Sequence, residues 1–178
     1  MLGEEIPIEK LPYDAPEVSL ALSNIMSNRL VYLLGPGGKT AALRALAVML
    51  YKAGMSPLYV KLEWVKYGWS LDDYITRHLD GHLKLVGYPA PREHDAILLD
   101  DAELVAEYPR LYEGFVGSIR EKVRAVAARE GAVEHLAKIL GDGIPIKMNF
   151  KPGEARRKLP LGLLGLASLG QIVEVEII

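Results

Sequence analysis

The sequence predicts an α/β domain in three layers, αβα, built on a mainly parallel sheet of five strands. Three observations carry that expectation. Short apolar runs alternate along the chain with segments of helical periodicity, the pattern left by strands whose crossovers are helices. Two of those runs end abruptly, one in a glycine loop and one in a pair of aspartates. The 178 residues, 50% hydrophobic and 25% charged, suffice for one core and fall short of two. The expected organisation is therefore a single domain over residues 1–178.

The elements follow in order. Asp14 is placed to cap a helix that carries Pro16 in its first turn. That helix runs to about Asn28 on an inner face of Val18, Leu22, Ile25 and Met26. Leu30 to Leu34 is the first strand; Gly35-Pro36-Gly37-Gly38-Lys39-Thr40 follows, then a helix from Ala41 to Lys52 that Gly54 closes. Ser56 to Glu63 reads as the second strand. Ser70 caps a helix from Leu71 to Val86, weakened at Gly81. Ala96 to Leu99 is the third strand and ends in Asp100-Asp101. A long helical stretch, about Leu111 to Leu140, is broken near Gly131. Ile144 to Phe150 is the fourth strand, its start held at the sheet margin by Pro145. Leu159 to Leu169 is a short glycine-rich helix, and Ile172 to Ile178 closes the sheet as the fifth strand.

Composition excludes several classes. No stretch reaches the roughly 18 apolar residues of a membrane span, so no membrane partner is expected. The opening MLGEEIPIEK has two acids among its first five residues and no apolar signal core, which points to the cytoplasm. Zero cysteines exclude a disulfide framework, a thiolate zinc site and a cysteine nucleophile. A net charge of -2 exerts no global pull on nucleic acid. Gln171 is the only glutamine, and scarcity of thermolabile side chains is a thermophile-like bias.

The chemistry-bearing feature is strand, glycine loop, Lys-Thr, helix. In a phosphate-binding loop, glycines let backbone N–H groups wrap a phosphate and the helix N-terminus adds its positive end. The lysine then reaches the outer phosphates, and the hydroxyl holds Mg²⁺. Gly35, Gly37, Gly38, Lys39 and Thr40 are the candidate nucleotide-binding residues, with Mg-ATP the implied cofactor. The loop is short, however. The motif G-x-x-x-x-G-K-[ST] has five residues between its first glycine and the lysine, against three between Gly35 and Lys39. Two residues fewer remove up to roughly 7 Å of chain, and Pro36 supplies no N–H. The alternative is a tight strand-to-helix turn that only imitates a phosphate loop.

Asp100 and Asp101 follow an apolar strand expected beside the loop strand, where an acid can complete the Mg²⁺ shell with Thr40. Asp100 takes that metal role, and Asp101 can orient the attacking water. Either acid alone also reads as the cap of the next turn. A basic cluster, Lys147, Lys151, Arg156, Arg157 and Lys158, surrounds an expected loop and could contact the phosphates of DNA or RNA; a solvated loop is the plainer reading. His78 and His82, four apart, share a helix face but lack a third ligand, since Asp80 lies on another face. Tyr59, Trp64, Tyr67, Trp69 and Tyr74 crowd the second strand, as a partner surface or as packing at the sheet edge. Gly162, Gly165 and Gly170 lack the strand-to-helix context of a cofactor site.

On these residues the chain resembles the P-loop NTPases of the additional-strand class, which includes AAA+ and RecA-like ATPases, over nearly its whole length. LLGPGGKT resembles a shortened, degenerate Walker A loop of AAA+ proteins, and ILLDD their second acidic motif. The resemblance puts Asn149, at the end of the fourth strand, in the place of a polar γ-phosphate sensor. LLGLASLGQIVEVEII resembles the helix and last strand of their core, without a helical lid after it. Three features depart from the pattern: the short loop, Asp101 where glutamate is usual, and no arginine just before the fifth strand. In the RecA-like branch, SPLYVKLE would place Glu63 as the catalytic, water-activating acid; a solvated strand end is the other reading. The resemblance implies a partner or scaffold subunit, or a homo-oligomer, with weak or absent ATP hydrolysis, in a setting such as DNA recombination, repair or replication. An active Mg²⁺-dependent ATPase with an atypical loop and a nucleic-acid-binding module using the basic loop are the alternatives.

Overall fold

The structure, a computed structural model, describes residues 16–79 and 94–148. Helix α1 spans Pro16–Met26, strand β1 Val31–Leu34, helix α2 Lys39–Lys52 and strand β2 Pro57–Lys61. A 3-10 turn over Leu62–Trp64 precedes helix α3, which opens as a short α-helical segment (Leu71–Asp73) and continues as a π-helical one (Tyr74–Leu79). Strand β3 is Ala96–Asp100, helix α4 Leu104–Glu107, helix α5 Pro109–Ile119 and strand β4 Val123–Ala127. A second 3-10 turn, Glu130–Ala132, leads into helix α6, Val133–Leu140, and strand β5 is Ile144–Lys147.

The five strands form one sheet in the order β2-β3-β4-β1-β5, with every pairing parallel. Strand alternation sends successive side chains to opposite faces, and two apolar clusters result. Val31, Leu33, Leu98, Ala125 and Ala127 meet Val18 of α1 and Ala42, Leu46 and Leu50 of α2. Leu34, Leu58, Val60, Ile97, Leu99 and Val126 meet Tyr74 of α3, Phe115 and Val116 of α5 and Leu136 of α6. The three-layer α/β architecture read from the sequence is the one observed.

Two expectations are corrected. The helix expected from Leu111 to Leu140 contains a strand: α5 stops at Ile119, and β4 occupies Val123–Ala127 before α6 begins. The strand at Ile144 is consequently the fifth, not the fourth. β4 also inserts between β1 and β3, so the acidic strand is not beside the loop strand but one place removed. An irregularity in register between Ile97 and Leu98 keeps the faces matched, pairing Ile97 with Val123 and Leu98 with Ala125. Asp14, the helix beyond residue 79, Asn149, the glycine-rich helix at 159–169 and the strand at 172–178 lie outside the described residues.

Candidate functional site

All five strands are parallel, so their C-terminal ends share one edge of the sheet, the edge where ligands settle in open α/β folds. β1 delivers the glycine loop there and β3 delivers Asp100. The loop leaves β1 through Gly35, at φ 111°, and enters α2 through Gly38, at φ 84°. Both values lie in the left-handed region that glycine occupies without penalty. Gly35 has a second constraint, since a Cβ there would fall on the carbonyl oxygen of Met148 just past β5. The Met148 N–H donates to Leu34 O at 2.6 Å and seats the loop against that strand end.

Helix α2 begins at Lys39 rather than Ala41, so Lys39 and Thr40 both stand in its first turn, and no side chain caps its first N–H groups. Gly37 is buried and Gly38 forms the N-cap. Lys39 Nζ donates to Gly35 O at 2.8 Å, folding the cation back over its own loop. Thr40 Oγ1 donates to Asp100 Oδ2, also at 2.8 Å, across the width of the intervening β4. The loop and the acid, sixty positions apart, therefore meet even though their strands do not pair.

Asp100 is 3% exposed, a buried charge whose cost must be met by hydrogen bonds. Three donors meet it: Thr40 Oγ1 and the Tyr59 hydroxyl on Oδ2, and the Asp101 N–H on Oδ1 at 2.9 Å. Tyr59 was legible only as one of several aromatics near the second strand. Its role at Asp100 depends on strand register, which the sequence does not show. Burial, then the charge of Asp100, pushes the Tyr59 hydroxyl well above the ordinary tyrosine range, so it remains a donor.

Asp101 has a left-handed backbone, φ 54°, tolerated better by aspartate than by most residues. Its Oδ2 is buried without a hydrogen-bond partner. Burial and the neighbouring Asp100 push its carboxyl up to about 7, against the opposing pull of Lys61. Glu63 is not on a strand end. It sits in the 3-10 turn after β2, its side chain 66% exposed, with Lys61 Nζ at 3.9 Å.

The remaining candidates are more scattered. Asn149 lies outside the described residues, and the strand before it is β5; the fourth strand instead ends at Ala127 and is followed by Ala128 and Arg129. Arg129 is exposed and reaches Glu107 at 3.7 Å. Of the basic cluster, Lys147 is described, on β5 with Glu130 at 3.6 Å; Lys151, Arg156, Arg157 and Lys158 are outside the described residues. Of the two spaced histidines, His78 falls on the π-helical segment and His82 outside the described residues, as does Asp80. Among the other aromatics, Tyr74 is buried, Tyr67 is exposed, and Trp64 and Trp69 pack against the core.

The donor set suits Mg²⁺. That ion takes oxygen ligands and is usually held by one or two protein groups together with waters and substrate phosphates. The Thr40 hydroxyl gives its proton to Asp100 and so keeps its oxygen lone pairs for a cation. The buried Asp100 carboxylate supplies the compensating negative charge.

No family model matches the chain, and no curated protein matches it. Its structure is similar to AMPPCP-bound DnaA from Aquifex aeolicus, with a TM-score of 0.49 and 20% identity over 89% of this chain and 53% of that one. The chain thus spans about half the length of that protein. Among the described residues no helix is long and apolar enough to cross a membrane.

Proposed function

We propose that the protein binds a nucleoside triphosphate with Mg²⁺ at the C-terminal edge of its sheet, hydrolyses it weakly or not at all, and serves as a subunit of a larger assembly. The observation that carries the binding reading is the 2.8 Å hydrogen bond between Thr40 Oγ1 and Asp100 Oδ2. It joins the hydroxyl after the loop lysine to the acid of the third strand, the pair that holds Mg²⁺ in phosphate-loop enzymes. Lys39 and the N–H groups at the start of α2 would neutralise the phosphates, while Thr40 and Asp100 would hold the cation. The bound metal would supply charge neutralisation at the phosphate oxygens.

The same residues favour weak turnover. The loop is two residues shorter than one that encircles a phosphate, and Lys39 is bonded to its own loop carbonyl. Glu63 is exposed, with Lys61 Nζ 3.9 Å from its carboxylate. One observation favours an active ATPase as the second reading: Asp101 directly follows Asp100 at the C-terminal end of β3, and its Oδ2 is buried without a hydrogen-bond partner, so it has an acceptor to offer an attacking water.

Calorimetry of Mg-ATP binding to wild type and Lys39→Ala tests the first reading. Micromolar binding that the substitution abolishes is expected; no heat at millimolar nucleotide would overturn it. Steady-state turnover separates the two readings, because only the active enzyme hydrolyses ATP in a manner that Asp101→Asn abolishes.

A further inference from the structure

Tyr59 is a full-sized aromatic, wholly buried, in a strand position that a leucine or valine could fill. What it adds is a hydroxyl, and a buried hydroxyl requires a partner. Strand alternation places Tyr59 on the α2 face, with Leu98 as its register partner on β3. Asp100 lies two residues along β3 from Leu98 and therefore projects to the same face. Across that gap the Tyr59 hydroxyl donates to Asp100 Oδ2, the same oxygen that accepts from Thr40.

The ring is held in place from two directions. Trp64 meets it edge-on, with centroids 6.5 Å apart and planes at 70°. The Arg44 guanidinium lies 6.0 Å from its centroid. Arg44 follows Thr40 by one helical turn on α2, so one stripe of that helix touches both the ring of Tyr59 and the carboxylate it serves.

We infer that Tyr59 is the positioning residue of the magnesium site: its hydroxyl fixes the Asp100 carboxylate in the orientation that accepts the Thr40 proton, leaving the Thr40 oxygen for the cation. This rests on the proposed nucleotide site. A carboxylate offers about four acceptor positions, and at Asp100 three are taken, from Thr40, Tyr59 and the Asp101 N–H. Without the Tyr59 donor, Oδ2 can turn away from Thr40, and the hydroxyl of Thr40 loses its fixed direction. The aromatic packing is untouched by that loss, so Tyr59→Phe isolates the hydrogen bond.

The test is calorimetric titration of ATP into wild type and Tyr59→Phe, each in excess Mg²⁺ and in chelator. The expected result is equal affinity in chelator and a loss of about tenfold or more in the Mg²⁺-dependent gain, the scale of outer-shell changes at metal sites. An equal gain in both proteins overturns the inference and leaves nucleotide binding standing. Wild type that binds no nucleotide overturns the site itself, and this inference with it. Should Tyr59→Phe fail to fold, proton magnetic resonance of wild type serves instead. The buried Tyr59 hydroxyl signal, assigned through its contact with Trp64, should shift with Mg-ATP and stay in place with ATP in chelator. Identical spectra under the two conditions overturn the assignment.

Discussion

The carboxyl of Asp101 is buried beside a second acid, and those two influences hold its proton to about 7, where the free side chain would release it at 3.8. Between those values the folded chain binds more protons than the unfolded one. Stability therefore falls as pH rises through that window, and the loss is complete above about 7. Asp101→Asn removes the titrating group and keeps a side chain suited to the left-handed backbone. The variant should melt above wild type at about pH 8 and level with it at about pH 3. Thermal unfolding at both values checks this, and a gap that does not grow with pH would contradict it. The pair of acids was visible in the sequence as ILLDD. Their division into an Asp100 that meets three donors and an Asp101 whose buried Oδ2 meets none was not, because it arises from the turn after β3 and from Tyr59 on another strand.

Elements with sharp ends were legible, and those without were not. β1 and β3 are unbroken apolar runs that stop at a glycine and at an acid, and both were found within a residue or two. α3 was marked by Ser70, whose capping box is formed: Ser70 Oγ accepts from the Asp73 N–H at 3.1 Å, and the Asp73 carboxylate accepts from the Ser70 N–H at 3.0 Å. Ser70→Ala should cost about 1 kcal/mol through loss of that cap. Urea unfolding measures it, and a change within error would show that the cap does not stabilise the fold. β4 reads as helix in the sequence because VRAVA is only five residues long, carries two alanines, the strongest helix former, and lies between segments of helical periodicity. Tertiary context overrides that preference. Ala125 and Ala127 face α2, where Ala41, Ala42 and Ala45 are also buried, so small residues lie on both sides of the contact. Pairing with β1 and β3 satisfies the backbone of β4 on both edges.

At the scale of the molecule, the sheet brings its proposed ligand groups from β1, α2 and β3 to one edge, so a ligand there would add its own contacts to the Thr40–Asp100 bond that already joins α2 to β3. Such a ligand stabilises the folded state by mass action, by about 2.7 kcal/mol at a hundredfold excess over Kd. The melting temperature should therefore climb with Mg-ATP concentration. It should do so less with ATP in chelator, and not at all in Lys39→Ala. A melting temperature independent of nucleotide would speak against the site as clearly as a flat calorimetric trace. The three-layer architecture was readable because its alternation of apolar runs and helical segments spans the whole chain. The order of the strands was not, since β4, the strand that separates loop from acid, has the sequence character of a helix.

The loop's contact with Met148 ties the glycine turn to the end of β5, the edge strand beside β1. Gly35 packs so closely on the Met148 carbonyl that not even a methyl group fits between them, and the Met148 N–H is bonded to the residue before the loop. Any side chain at position 35 would have to push the end of β5 away from the loop. The glycine turn thus fixes how closely the edge strand can approach the phosphate-loop end of β1.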